Sequence, residues 1–291
     1  VNAPSSKTQT LLELNVSVLI MGNVTLFAKT LPFHAITIIA GRAVFAFLLL
    51  LCFLKLRGKP LLPNSKTDFL KLFGIGILFG IHWVTYFHSI QISSVAIGML
   101  SLFTYPVFTA ILEPLFVGKK IDPFSFLLTC FAFLGLFFMV PKFDWSDQSF
   151  QGVVWGLFSA VIYSLRNILT KQMHVHYPSA QVLSIQLFAS SILLLPFANG
   201  LSQMFFVPEY LLSLVVLAGV FTALAHTLWI RSIGKLPVVT VGLLSTVSPF
   251  YGTMSAWFFL GEVPPDRIWL GGGIILFCAV MEVIRTIDAK L

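Results

Sequence analysis

Ten apolar runs, separated by short polar or proline-containing segments, account for most of the chain: residues 11–29, 34–55, 69–89, 93–116, 124–140, 151–171, 178–197, 209–231, 238–260 and 267–286. Each comes close to the ~20 residues that carry a helix across a bilayer at about 1.5 Å per residue. No period-two alternation is sustained, so a membrane β-barrel does not fit. In lipid the α-helix is then the remaining way to satisfy every backbone N–H and C=O. The expected fold is an all-α integral membrane protein with ten transmembrane helices. The connections, of which 56–68 is the longest, are too short to fold as soluble domains. Whatever the protein does is therefore done inside the membrane.

Two of the runs carry nearly the same string. VAIGMLSLFTYPVFTAILEPLFVG at 95–118 and VTVGLLSTVSPFYGTMSAWFFLG at 239–261 match at Val95/Val239, Gly98/Gly242, Leu100/Leu244, Ser101/Ser245, Pro106/Pro249, Phe116/Phe259 and Gly118/Gly261. The offset is 144 residues up to the serine and 143 from the proline onward, about half of the 291-residue chain. One five-helix unit written twice is the natural reading, as residues 1–145 and 146–291. Because five is odd, the second unit enters the membrane from the opposite side. Such inverted repeats let a membrane protein present one central site to either face in turn.

Composition agrees: 57% of residues are hydrophobic and 10% charged, against roughly 45–50% and about 25% in soluble domains. The net charge of +7 suits nucleic acid formally, but the basic residues lie between apolar runs and form no stripe or arm. The expected partners are the lipid bilayer and a small-molecule solute, not nucleic acid. Of the 18 Lys and Arg, fourteen, Arg166 and Lys171 among them, fall on the side of the N-terminus; Lys29, Lys142 and Arg267 fall on the other, and Arg42 is set aside as intramembrane. By the positive-inside rule both termini are cytoplasmic. Residues 1–10 are polar and no small-residue cleavage site follows the first run, so no cleavable targeting segment is expected in this multi-pass protein of the inner (plasma) membrane. Cys52, Cys130 and Cys278 each lie in an apolar run and read as small core residues. No Cys or His stands at metal-ligand spacing, and no GxxxxGK[ST], HExxH or GxSxG occurs. No metal, cofactor or enzymatic activity is expected.

Candidate site residues cluster on a few runs. Arg42 lies roughly two turns below the outer end of the second helix, where a guanidinium costs ~2.5–3.5 kcal/mol on insertion scales and faces the interior. An anionic partner and a structural tie to carbonyls or an acid both fit it. His82, Trp83, Tyr86 and Phe87 share the third helix as two i, i+4 pairs, and His226 and Trp229 recur on the eighth. These rings suit either a pocket that stacks flat or cationic substrates or ordinary packing. His82 and His226 are candidates for titration in a cycle, since histidine changes charge near neutral pH; His174 and His176 read as a solvated loop. Glu13, Asn15 and Asn23 on the first helix face the question of a site together with Tyr163 and Asn167 on the sixth. Glu113 and Glu282, like Glu13, sit near inner helix ends, where pairing with basic residues is expected. Pro106 and Pro249 inside helices remove the bonds to the Leu102 and Ser245 carbonyls. A kink there would bare backbone toward a cavity beside Ser101, Tyr105 and Ser245 and serve as a gate. Gly98, Gly242, the Gly76–Gly80 pair and Gly271–Gly273 offer close helix approach, the last also a dimer contact. A monomer or weak homodimer is expected.

Ten helices in two halves, Arg42 in AGRAVFAFLLL, the G-x-L-S-x(3,4)-P helix in both halves and Gly261-Glu262 after the ninth helix resemble the EamA branch of the drug/metabolite transporter superfamily, over essentially the whole chain. The resemblance implies a central cavity lined mainly by helices 1, 3, 4, 6, 8 and 9, with 5 and 10 peripheral. It implies hairpins 3–4 and 8–9 that rock to close opposite ends. The function it implies is a secondary transporter that moves a small polar metabolite, an amino acid or derivative, by alternating access, with export as the direction. A lipid-carrier flippase subunit on the same fold is the alternative, and a membrane-embedded enzyme a further one. Three departures bear on substrate class: Gly118-Lys119 where a Gly-Glu pair is common, Gln186 where Arg42 would fall, and Met21 in place of a first-helix tryptophan.

Overall fold

The computed structural model describes residues 7–116, 123–139, 142–174, 176–235, 245 and 247–288, and their regular structure is helical throughout. The first half comprises α1 (Lys7–Asn23), α2 (Leu26–Thr30), α3 (Ala35–Leu56), α4 (Lys66–Ile92), α5 (Val95–Leu102), α6 (Tyr105–Phe116) and α7 (Pro123–Met139). The second comprises α8 (Gln148–His174), α9 (Ser179–Leu194) with a 3-10 turn to Phe197, the short α10 (Leu201–Phe206), α11 (Pro208–Ala218), a π turn (Gly219–Leu224), α12 (Ala225–Ile233), α13 (Ser248–Leu260) and α14 (Asp266–Asp288). Seven stretches of the described residues are long and apolar enough to cross a membrane. Of the remaining helices, α7, α13 and α14 stand where the fifth, ninth and tenth runs fall, and the short α10 lies in the connection between the seventh and eighth. Val239, Gly242 and Leu244 of the repeat lie outside the described residues, as do Gly118, Lys119 and the side chain of Glu282.

Local chemistry sets the boundaries. Ser65 Oγ accepts the Asp68 N–H at 3.4 Å and starts α4; Ser94 Oγ accepts the Ile97 N–H at 3.2 Å and starts α5. Large apolar side chains such as Leu48, Phe53, Phe126, Phe137, Phe158 and Phe258 point outward, a surface that suits lipid and not water. The polar groups turn inward instead: Arg42, His82, Ser89, Ser159, Arg166 and Gln186 are all buried.

The halves interlock. α4 packs along α8 and α9, α3 along α9 and α11, α1 along α12 and α13, and the α5–α6 pair along α8, while α7 pairs with α14 to one side. Each pairing has a counterpart with the halves exchanged. The third run on the sixth matches the eighth on the first; the third on the seventh matches the eighth on the second; the fourth on the sixth matches the ninth on the first. Gly76 makes one of these seams possible, since a Cβ there would stand 2.5 Å from the Gln186 carbonyl oxygen. The Gly76 carbonyl in turn accepts the Ser190 hydroxyl at 2.7 Å.

Two expectations change. The fourth run breaks where a kink was expected: Phe103 and Thr104 separate α5 from α6, and the Thr104 N–H (3.3 Å) and hydroxyl (2.7 Å) both turn back to the Ser101 carbonyl. Pro106 is the second residue of α6 and Pro249 the second of α13. A missing N–H costs nothing in a first helical turn, so these prolines begin helices and do not bend their interiors. The proline inside a helix is Pro114. Cys52 and Cys130 are not core residues; both are exposed on outward faces, and Cys278 alone is buried. A thiol is apolar enough to face lipid without penalty.

Candidate functional site

A central cavity of about 70 Å³ lies where α1, α3, α4, the α5–α6 break, α8, the π turn with α12, and the start of α13 converge. Of the residues singled out in the sequence, Arg42, His82, Trp83, Tyr86, Tyr105, Tyr163, His226, Trp229 and Ser245 line it, as do Met21 and Phe87. Three others do not reach its wall. Ser101 is fully buried against α8, with its hydroxyl unpartnered among the described residues. Asn23 gives its amide to the Leu19 carbonyl at 2.8 Å and accepts the Ser255 hydroxyl, on the α1–α13 seam. Asn167 accepts Arg166 Nη1 at 3.1 Å. The second helix contributes Arg42 to the wall, so the lining is wider than the six helices expected, while α7 and α14 stay peripheral. Metabolite pockets commonly span ~300–1,000 Å³; this chamber is contracted and must widen to hold one.

The wall is built from ring contacts. Helical spacing puts Phe79, His82, Trp83 and Tyr86 on one side of α4. His82 stacks on Tyr163 at 4.4 Å between centroids, Tyr163 meets Tyr105 edge-on at 4.9 Å, and His226 stands edge-on to both Phe79 and Trp83 at 5.2 Å. Ser159 fixes the tautomer of His82. Its hydroxyl donates to the His82 carbonyl at 2.9 Å, so the ring Nδ1, 2.7 Å from Ser159 Oγ, must carry the proton and donate. His226 Nδ1 is buried without a partner among the described residues.

Arg42 is anchored by the π turn. Its Nε donates to Thr222 Oγ1 at 2.7 Å and its Nη2 to the Phe221 carbonyl at 3.4 Å, while Thr222 Oγ1 donates five residues back to Leu217 at 2.8 Å. The widened turn thus supplies both acceptors, a use typical of π turns at functional sites. The guanidinium lies 3.9 Å over the Trp83 ring and 5.7 Å from that of Phe87. Both readings of Arg42 meet here: it is tied structurally and it also faces the cavity.

A second buried arginine lies behind the wall. Arg166 is fully buried, 4.0 Å over the Phe79 ring and 5.9 Å from that of Trp229. Nη2 donates to Gln186 Oε1 at 2.7 Å, and the Gln186 amide continues to Thr170 Oγ1 at 3.1 Å. Counting Arg166 with the inner helix ends is therefore corrected. Setting it beside Arg42 leaves 13 against 3 in the charge count, with the same sign. The signal was present: Arg166 stands five residues inside the end of its run, ~7 Å deep at the helical rise. Of the rings singled out, Trp83 and Phe87 lie under the Arg42 guanidinium and Trp229 lies near that of Arg166.

Ion pairs fasten both ends of the bundle. At one end Lys29 Nζ lies 3.3 Å from Glu262 Oε1 and donates to the Ser93 carbonyl at 2.8 Å; Glu262 Oε2 accepts the Val95 N–H, at the start of α5, at 2.9 Å. Gly261 makes this possible, since its φ of 68° ends α13 in the left-handed region and turns Glu262 back toward α5. At the other end Arg231 meets Glu13 at 3.1 Å and Lys171 meets Glu113 at 3.4 Å. The pairing expected for Glu13 and Glu113 is therefore seen.

An aromatic-walled chamber with a few polar groups, buried between the two halves of an apolar helical bundle, suits a membrane carrier. The chain belongs to the EamA-like transporter family, whose model matches residues 11–140 and again 150–283. It is 24% identical over 261 residues to a pseudopaline exporter of Pseudomonas aeruginosa (strain UCBPP-PA14), covering 89% of this chain and 88% of that one. It is 26% identical over 240 residues to a riboflavin transporter of Rhizobium johnstonii, covering 80% and 75%. To an S-adenosylmethionine uptake transporter of Rickettsia felis it is 22% identical over 252 residues, covering 86% and 83%. One crystal structure shares the fold with a TM-score of 0.64 at 17% identity, over 98% of this chain and 99% of the other.

Proposed function

We propose that this protein is a secondary transporter that moves a small polar metabolite, an amino acid or derivative, across a bacterial inner membrane by alternating access, with export as its direction. The observation that carries the reading is the contracted central cavity with an ion-paired closure at each end. A carrier needs one site and two closures that open in turn. The reading takes the chain as ten spans in two inverted halves with both termini cytoplasmic, so the Lys29–Glu262 end is external and the Glu13–Arg231 end cytoplasmic. The exchange symmetry of the helix pairings, the two matches to one family model and the 13-to-3 charge count support it. Arg42, His82, Trp83, Tyr86, Tyr105, Tyr163, His226, Trp229 and Ser245 then form the solute site. Ser101, Pro106 and Pro249 belong to the moving breaks, and Asn23 and Asn167 support the wall.

Counterflow in proteoliposomes tests this. Saturable exchange of a labelled amino acid or amino-acid derivative against the same solute inside is expected. Scrambling of a lipid analogue with no soluble exchange would replace the reading with that of a lipid-carrier flippase subunit.

A further inference from the structure

Resting on the transporter reading, the geometry points to the chemical class of the solute: an aromatic carboxylate bearing net negative charge, its ring against the aromatic wall and its carboxylate at Arg42 Nη1 and His226 Nδ1.

The first observation is one of charge. Arg42, Trp83, Phe79 and Arg166 form a continuous stack, with successive separations of 3.9, 3.9 and 4.0 Å. Two guanidinium groups, which stay protonated in proteins, are thus held in the bundle core at 1% and 0% exposure. Neither makes a salt bridge to a carboxylate among the described residues. Glu13, Asp68, Glu113 and Glu262 are engaged with Arg231, Lys71, Lys171 and Lys29. The described lining of the cavity contains no acidic side chain at all. Buried charge is expensive unless paired, and stacking on rings repays part of the cost but leaves the sign of the field unchanged. The cavity is therefore positive and missing its counter-charge.

The second observation is of polar atoms without partners. Arg42 uses Nε and Nη2 on Thr222 and Phe221 but has no partner for Nη1 among the described residues. His226 lines the same space, 3% exposed, with Nδ1 buried and without a partner among the described residues; with the proton on Nδ1 it donates to an anion. Ser245 adds a buried hydroxyl to the lining, beside Tyr105. Arg166 stands one ring behind, with Nε also without a partner among the described residues, and strengthens the field through a low-dielectric wall. Groups of this kind are satisfied by an anion that arrives with the solute. Trp83, Tyr86, Tyr105, Tyr163 and Trp229 offer ring faces and edges to a flat group. A cation would meet two fixed positive charges, and an aliphatic solute would leave the aromatic wall unused.

The test is a charge series on one ring. Indole-3-acetate, its neutral amide and the amine tryptamine, with succinate as a ring-free dianion, are titrated against purified protein in lipid nanodiscs. Quenching of intrinsic fluorescence and thermal unfolding are the readouts. Indole-3-acetate is expected to bind at least about tenfold tighter than the amide, as a charge-assisted hydrogen bond warrants, with tryptamine and succinate weaker still. Arg42→Gln is expected to erase the preference for acid over amide, and Arg42→Lys to keep part of it. Should the arginine variants not fold, the series on the unaltered protein decides alone. Equal or tighter binding of the amide or the amine, or no saturable binding of any of the four, overturns the inference. Counterflow separates it from the transporter reading: exchange that prefers neutral or cationic solutes sinks this inference only, whereas the absence of exchange with every solute class sinks transport itself.

Discussion

Glu262→Gln removes one charge from the fastening of α2, α5 and α13 and leaves its shape nearly intact. The Lys29 and Glu262 side chains are 22% and 24% exposed and 3.3 Å apart. At that distance the gross attraction is about 5 kcal/mol at an effective dielectric constant near 20. Desolvation and side-chain ordering return most of it, leaving ~1 kcal/mol for a partly exposed pair. The 2.9 Å bond from the Val95 N–H is charge-assisted and adds ~1.5 kcal/mol. Losing both shifts an open–closed equilibrium by roughly 2–3 kcal/mol, or about 30- to 150-fold. The assay is maleimide labelling of Met99→Cys, a cavity-lining position, in a background with Cys52, Cys130 and Cys278 replaced by Ser. Labelling from the Glu262 end should accelerate by about that factor in Glu262→Ala and by less in Glu262→Gln, whose amide oxygen still accepts the Val95 N–H. Glu113→Gln should open the opposite end and do so less, since Lys171 and Glu113 are 42% and 39% exposed. An unchanged labelling rate in folded Glu262→Gln and Glu262→Ala proteins would refute the closure.

Gly76→Ala should lower the thermal midpoint by an amount worth ~1–3 kcal/mol, because its Cβ meets backbone at Gln186 and not a flexible side-chain tip; an unchanged midpoint would mean that α4 and α9 slide freely. Thr222→Val removes the acceptor of Arg42 Nε and should cost ~1–3 kcal/mol in stability, with Thr222→Ser close to unaltered protein in the same denaturation measurement. Pro106→Ala and Pro249→Ala should change counterflow rates more than thermal midpoints, since each proline stands where a helix begins; unaltered transport in both would reduce them to packing.

Much of the fold was legible because lipid leaves so few choices. Apolar run length announced the helices, and Glu13 and Glu113 near run ends marked where ion pairs form, whereas the Lys29–Glu262 pair depends on how Gly261 turns the chain. The ring cluster of His82, Trp83, Tyr86, His226 and Trp229 was legible for a related reason, since helical spacing alone puts such residues on common faces. What escaped depends on rotation and contact. Whether Asn23 turns to the cavity or to Ser255 is decided by a fraction of a helical turn, which apolar periodicity does not resolve when both faces are apolar. Arg166 reads as an end residue in the sequence because charge near a run's end usually snorkels, and its burial against Phe79 shows otherwise. The π turn leaves no mark in composition, because Gly219–Leu224 reads like any other apolar helix segment.

That turn has a consequence for the whole eighth run. A π turn holds one residue more than an α turn in the same space, and successive residues in an α-helix are about 100° apart. The inserted residue therefore sets the phase of α12. Were Gly219–Leu224 to relax to α geometry, everything beyond it would rotate by about 100°, sweeping His226 and Trp229 off the cavity wall and withdrawing the Phe221 carbonyl from Arg42. Deleting one residue from this segment would instead let the turn close as α-helix with α12 kept in phase, so His226 and Trp229 would stay on the wall while the π turn's grip on Arg42 is lost.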